Sequence, residues 1–148
     1  GYRVWGSDIT TDTTPDEAGL GFAVRIDKDF IGRDALMAAR NGEGVSTEPE
    51  RRLRCLTLAD PSTVCLGTEP VRVDGRPCGR VTSGGYGYRV GESIAYAYLP
   101  STVAIGAPVE VGVFGAWCAA TVRSICSISG SRSQFGATRI LRSRAGWA

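Results

Sequence analysis

Hydrophobic and polar residues alternate in short runs over residues 52–123, and turn-forming residues separate one run from the next. A period of two is typical of a strand that buries one face, and several short runs at regular spacing indicate a small barrel or a sandwich. We predict a six-stranded antiparallel barrel, because closure removes the exposed edges of so short a sheet. The predicted strands cover residues 53–58, 68–73, 77–83, 93–99, 108–114 and 117–123.

Two glycine-containing sequences are predicted to turn the chain within the barrel. Asp74 and Gly75 lie between two strand-like runs, and this dipeptide favours a two-residue hairpin turn in which both residues have positive φ. Residues 82–87 have the sequence TSGGYG, which predicts a second tight turn with positive φ at Gly84 and Gly85. A loop that cradles a ligand is the alternative, although the sequence fits neither the phosphate-loop nor the dinucleotide pattern.

Ahead of the barrel, the pattern changes to two strand-like segments and one helix. Residues 2–5 are β-favouring, and residues 18–26 place Leu, Phe, Val and Ile on one face, so both are predicted to be strands. The loop 7–17 between them is rich in residues that bond to their own backbone. Residues 33–40 are mostly strong helix formers, and the Asn-Gly that follows predicts the end of this helix.

These patterns divide the chain into four parts. The polar residues 41–51 predict a linker between a first unit, residues 1–40, and the barrel domain, residues 52–123. Residues 124–148 have no clear periodicity and are predicted to form an irregular tail.

Charge is distributed unevenly along the chain, although the net charge is only +2. Residues 1–50 hold ten acidic and five basic side chains, whereas the remaining residues hold five acidic and twelve basic ones. The basic residues form no run of five, so a nucleic acid is not the predicted partner. An anionic small molecule or an acidic partner domain fits this distribution better.

The cysteine and histidine content argues against a metal site and against histidine-based catalysis. The five cysteines include no CxxC pair, and the chain has no histidine, so we predict free thiols, no metal site and no histidine-based catalysis. Free thiols are typical of a reducing compartment. No apolar run reaches the roughly 20 residues that span a bilayer, and no apolar signal core follows Gly1. These observations predict a cytoplasmic protein that does not bind a membrane.

Three stretches of the sequence, taken in order, resemble one protein family. They are residues 1–36, with TPDEAGLGFAV and DFIGRDAL, residues 67–100, with VTSGGYG and GESIAYAYLP, and residues 106–122, GAPVEVGVFGAWCAATV. Together they resemble the aminomethyltransferase (T-protein) family of the glycine cleavage system. The resemblance is closer still to the folate-binding portion of dimethylglycine and sarcosine dehydrogenases.

The resemblance implies a fold and a set of partners. In this family, two related α/β subdomains enclose tetrahydrofolate, and a six-stranded barrel follows them. The implied fold is therefore mainly β: a barrel preceded by a strand-loop-strand-helix remnant of an α+β folate-binding subdomain at residues 1–40. The amino-terminal folate-binding subdomains, in the same or a separate chain, are the implied partners, and self-association is a second expectation. The family supports a structural role for residues 82–87, with a contact to the neighbouring subdomain as a further option.

Four residues are candidates for contact with folate. Lys28 is the nearest match to a cation that faces the anionic tail of folate, and Arg25 is its neighbour. Trp5 and Tyr2 are placed to stack on the flat pterin. The alternatives are a solvated Lys28 and aromatic residues that belong to the core.

No catalytic residue is assigned to this chain. The family relies on an Asp in its first subdomain and on a Glu that holds the pterin, and in this register both lie upstream of Gly1. The acidic residues of the matched segment, Asp8, Asp12 and Glu17, belong to the loop and strand pattern and not to those two roles.

The resemblance implies the carboxy-terminal portion of a tetrahydrofolate-dependent one-carbon transfer protein that is inactive alone. No flavin site is expected in this chain. A non-catalytic barrel module that scaffolds a partner and a truncated gene product are the alternatives. A start at Gly1 without methionine indicates a fragment, a processed product or a trimmed chain. Residues 124–131 depart from the family's closing segment, as a shifted reading frame near residue 124 would explain.

Overall fold

A computed structural model describes residues 2–41 and 48–125. Six strands form a closed antiparallel barrel in the order β1-β4-β3-β2-β5-β6, which confirms the predicted barrel and its strands. The predicted tail from residue 126 onward and residues 42–47 of the predicted linker lie outside the described residues. The strands are β1 Arg51–Leu58, β2 Pro70–Val73, β3 Arg76–Gly87, β4 Glu92–Pro100, β5 Pro108–Val113 and β6 Ala116–Arg123.

The barrel core follows from strict alternation along its strands. In β4, every second residue from Ser93 to Leu99 is buried. Ala95 and Ala97 occupy the middle of this inward face, where the small side chains leave room for larger residues of the other strands. Burying each such aliphatic side chain contributes about 1.5–3 kcal/mol. The largest fully buried apolar side chains are Leu56, Val71, Val81, Leu99, Val111 and Val122.

The two predicted glycine turns have different outcomes. Asp74 and Gly75 have φ values of 49° and 74° and join β2 to β3, so the hairpin is confirmed. The predicted turn at Gly84 and Gly85 is wrong, because both residues lie within β3 in extended conformation and pair with β4. A Cβ on Gly84 would lie 2.6 Å from the Cys65 carbonyl oxygen. Glycine is therefore needed here for close approach of another backbone, and not for positive φ.

Residues 2–41 lie ahead of the barrel and are here called the amino-terminal segment, or the segment for short. The segment contains the predicted helix but not the predicted strands. Helix α1 spans Arg33–Asn41. Residues 2–5 contribute one isolated bridge, from Trp5 to Ile9, and residues 18–26 contain a short 3-10 helix at Gly21–Ala23. The two strand predictions are therefore wrong. A strand needs a neighbour for its backbone groups, and no described strand pairs with either segment.

Large apolar side chains of this segment are exposed. Tyr2 is 96% exposed and Phe22 is 85% exposed, and Val4 and Trp5 are also exposed, whereas Leu20 and Val24 are half-buried. The segment thus leaves large apolar side chains uncovered, although they do not belong to strands. Among the described helices, none is long and apolar enough to span a membrane.

The cysteines differ in burial, which predicts different reactivity. Cys55 and Cys65 are buried free thiols, and burial raises the pKa of Cys55 to about 12 and that of Cys65 to about 11. Because the thiolate is the reactive form, we expect both to resist alkylation in the folded chain, while the half-buried Cys78 and Cys118 react before them. Peptide mapping by mass spectrometry over an alkylation time course measures this order. Equal rates in urea are the control, and a Cys55 that reacts as fast as Cys118 without urea would contradict the burial argument.

Candidate functional site

Asp8 fixes the amino-terminal loop to the barrel. Its side chain is only 1% exposed. One carboxylate oxygen accepts a hydrogen bond from the amide of Val4 at 2.8 Å, and the other accepts from the hydroxyls of Thr82 at 2.6 Å and Ser83 at 2.7 Å. The Tyr98 hydroxyl donates to the Asp8 carbonyl oxygen at 2.8 Å. A buried carboxylate is tolerated when such bonds replace its hydration, so Asp8 is a structural residue here.

Glu17 makes a second connection between the segment and the barrel. Its carbonyl oxygen accepts a hydrogen bond from the Leu53 amide at 2.8 Å, and its carboxylate pairs with Arg51 at 2.9 Å. Burial raises the pKa of Glu17, but hydrogen bonds from Thr14 and Arg51 outweigh burial and leave the pKa below its ordinary value of 4.5. The ionised form is thus favoured by the folded state.

The lowered pKa of Glu17 predicts a dependence of stability on pH. A carboxylate whose pKa is lower in the folded state stabilises the fold above its unfolded pKa, and this contribution disappears as the pH falls through the folded pKa. We therefore expect wild type to be more stable than Glu17→Gln at neutral pH, and the difference to shrink once the pH drops below 4.5. Thermal unfolding midpoints over this range measure the difference. The control is Asp29→Asn, since Asp29 is exposed and takes part in none of the ion pairs of the described residues, and a difference that grows in acid would contradict the argument.

Between these two connections lies a polar groove of about 940 Å³, here called the loop groove. Its walls come from residues 7–17 and from β1, β3 and β4. The guanidinium of Arg51 lies 5.0 Å from the centre of the Tyr98 ring, and Arg80 adds a second cation from β3. A groove of this volume can hold a ligand of drug size, and its acids, cations and one aromatic ring suit a polar ligand.

The residues predicted to contact folate lie elsewhere. None of the four is among the described residues that line the loop groove. Trp5 and Tyr2 are exposed, which excludes the core role considered for them. Arg25 forms an ion pair with Asp27 at 2.8 Å, whereas Lys28 is exposed and takes part in none of the described ion pairs. A role of these residues toward folate stays a prediction.

Sequence reasoning did not find the residues that hold the segment in place. Asp8 sits in a loop of polar residues, and nothing near it in the sequence signals that it is buried. Its partners Thr82 and Ser83 lie in the TSGGYG stretch, for which the sequence predicts a turn. The one signal in the sequence is that these two hydroxyl residues stand next to two glycines, a combination that is compatible with close packing against this strand.

The acidic residues of the loop are used for structure. Asp8 and Glu17 hold the segment to the barrel, and Asp16 pairs with Arg40 of α1 at 3.0 Å. Across the described ranges, no group of His, Cys, Asp and Glu is arranged to hold a metal ion. The site therefore consists of the docked segment and the loop groove. The three acids have structural partners, and we assign none of them to proton transfer.

Comparison with known proteins identifies the family. The pattern of the glycine cleavage T-protein C-terminal barrel domain matches residues 51–125. The chain is 40% identical over 124 residues to mitochondrial dimethylglycine dehydrogenase of Mus musculus, a match that covers 82% of this chain and 14% of that protein. It is 34% identical over 114 residues to the aminomethyltransferase of Thermotoga petrophila, covering 77% of this chain and 29% of that one.

A solved structure gives the same result. The glycine cleavage system aminomethyltransferase T of Bartonella henselae superposes with a TM-score of 0.73 at 28% identity, over 84% of this chain and 34% of that one. The chain thus spans between 14% and 34% of the lengths of these relatives. It belongs to the glycine cleavage T-protein family and contains that family's carboxy-terminal barrel domain.

Proposed function

We propose that this chain is the carboxy-terminal portion of a tetrahydrofolate-dependent aminomethyltransferase-type protein and is inactive alone. It acts with amino-terminal folate-binding subdomains, which belong to the same chain or to a separate one. The relatives named above are longer and carry the matched region as a minor part of their length. The free thiols fit a reducing compartment, and a cytoplasmic location is part of the proposal.

The observation that carries the proposal is the exposed apolar surface of the segment ahead of the barrel. Tyr2, Trp5, Phe22 and Ile31 are exposed, while the same segment is held to the barrel by the polar contacts of Asp8. Covering each large apolar side chain is worth about 1.5–3 kcal/mol. Several of them together can offset the entropy lost on association, so the segment is suited to pack against a neighbouring domain.

Folate would then be enclosed between this segment and the added subdomains. The ammonium of Lys28 is available for a carboxylate of the folate tail, whereas Arg25 is partly neutralised by Asp27. The rings of Trp5 and Tyr2 are free to stack on the pterin. Transfer itself requires a group that handles a proton, and we assign that group to the amino-terminal subdomains.

A pair of matched substitutions tests the role of the exposed surface. Phe22 and Phe114 are both 85% exposed, but Phe114 lies in the β5–β6 turn of the barrel. We expect Phe22→Ser to reduce self-association of the full chain, measured by light scattering, and to weaken its binding to a separately produced amino-terminal part of a relative. Phe114→Ser should leave both unchanged.

Folate binding and transfer complete the test. The mixture of chain and amino-terminal part should bind tetrahydrofolate and transfer a one-carbon unit to it, whereas the chain alone should do neither. Turnover by the chain alone would overturn the proposal. Association without folate binding would favour the non-catalytic scaffold instead.

A further inference from the structure

Four arginines surround a second, smaller pocket between the amino-terminal segment and the barrel, with a volume of about 180 Å³. We call it the arginine pocket. Arg52 and Arg54 are two residues apart on β1 and therefore lie on one face of the strand. Arg123 comes from the end of β6 and Arg3 from the segment. Guanidinium groups stay charged at all ordinary pH values. Four of them around one pocket repel one another, so the arrangement is unfavourable unless a negative charge offsets it.

One donor of Arg54 is unused, although Glu48 attracts its charge. Its Nε is buried and, within residues 2–41 and 48–125, has no hydrogen-bond partner. Arg52, by contrast, lies 3.8 Å from Glu48, and the Nε of Arg123 donates to the Thr57 hydroxyl at 3.3 Å. Burial, followed by the repulsion from Arg52, lowers the pKa of Arg54. A buried donor without an acceptor destabilises the fold unless a ligand supplies one.

The carboxylates that line the pocket are engaged by other arginines. Asp16 and Glu17 line the pocket, but each forms an ion pair with an arginine that is not among the four: Asp16 with Arg40 at 3.0 Å and Glu17 with Arg51 at 2.9 Å. Among the described residues, Glu48 pairs with one of the four, Arg52, so the arginine pocket keeps an excess of positive charge and an unused donor at its wall.

We propose that the arginine pocket binds a small oxyanion, the phosphate or carboxylate group of a small molecule, through Arg54 and Arg123. The planar guanidinium presents two parallel donors that match the oxygens of such a group. The volume has room for a few water molecules, which suits one anionic group and not a whole folate. Because the walls include both the segment and the barrel, a bound anion would hold the two together. This site is separate from the loop groove and does not depend on the proposed transfer function.

Inorganic phosphate is the probe for this proposal, used with the full chain. Phosphate should raise the thermal unfolding midpoint saturably when chloride keeps the ionic strength constant, because a ligand of the folded state stabilises it. Acetate in a parallel titration tells whether a carboxylate suffices. Arg54→Gln and Arg123→Gln should each weaken phosphate binding by about tenfold or more, the loss expected for a charged hydrogen bond, as measured by calorimetry.

The controls separate binding from folding. Arg76→Gln changes an exposed arginine of the β2–β3 hairpin and should bind phosphate as wild type does. Arg54→Gln should unfold at a temperature no lower than wild type in chloride, since it removes an unpartnered buried group, and yet lose the response to phosphate. No phosphate-specific stabilisation of wild type, or equal phosphate affinity in Arg54→Gln, would overturn the proposal.

Discussion

Replacing Asp8 with alanine is expected to lower the free energy of unfolding by about 3 kcal/mol. The substitution removes the acceptor of the Val4 amide and of the Thr82 and Ser83 hydroxyls at a residue that is 1% exposed. The Thr82 hydroxyl keeps a second acceptor, the Tyr96 carbonyl oxygen at 3.3 Å. Buried donors that lose their partner are costly because water does not replace it. The amino-terminal loop should detach from β3 as a result.

Urea unfolding and limited proteolysis measure the two effects together. Asp8→Ala should unfold at lower urea concentration and be cleaved faster ahead of α1 than wild type. Asp12→Ala is the matched control, because Asp12 is an exposed acid of the same loop, and it should change the free energy by no more than about 0.5 kcal/mol. Similar losses in the two variants would show that the buried carboxylate does not hold the loop.

Replacing Gly84 with alanine is expected to destabilise the barrel by about 2 kcal/mol, a typical cost for forcing an extra methyl into a packed site. The new Cβ would lie 2.6 Å from the carbonyl oxygen and 2.8 Å from the Cβ of Cys65. Both atoms belong to or adjoin the backbone, so they cannot rotate away as the end of a long side chain would. Strand β3 or the Cys65 loop must move.

Gly85 provides the control one residue away. A Cβ at Gly85 would meet nothing within 4 Å, so Gly85→Ala should remain within about 0.5 kcal/mol of wild type. Thermal unfolding of the two variants compares neighbouring positions of the same strand. If Gly85→Ala is as unstable as Gly84→Ala, alanine is unfavourable along this part of β3 for a reason other than contact with Cys65.

Elements governed by local periodicity could be predicted from the sequence. The six strands follow from the spacing of apolar residues, and α1 follows from a run of strong helix formers. The turn at Asp74 and Gly75 follows from the backbone conformations that these two residues tolerate. In each case the information lies within a few neighbouring residues, so no knowledge of distant contacts was required.

Features that depend on distant partners could not be predicted. Residues 18–26 have the alternation of a strand, but alternation does not tell whether a neighbouring strand is present. The sequence predicts a turn at Gly84, because it cannot distinguish a glycine that allows positive φ from one that allows another backbone to approach closely. The burial of Asp8 and the position of Arg54 likewise arise from contacts between residues far apart in the chain.

The contacts of Asp8 also bear on when its loop can join the barrel during folding. Asp8 is 74 residues from Thr82 and 90 residues from Tyr98 along the chain, and contacts between such distant residues form slowly because a long loop must close first. During synthesis, the segment therefore leaves the ribosome long before β3 and β4 exist to receive it. Until then the loop around Asp8 is not held to the barrel, and an undocked segment with exposed apolar side chains such as Phe22 is open to aggregation or to capture by a chaperone.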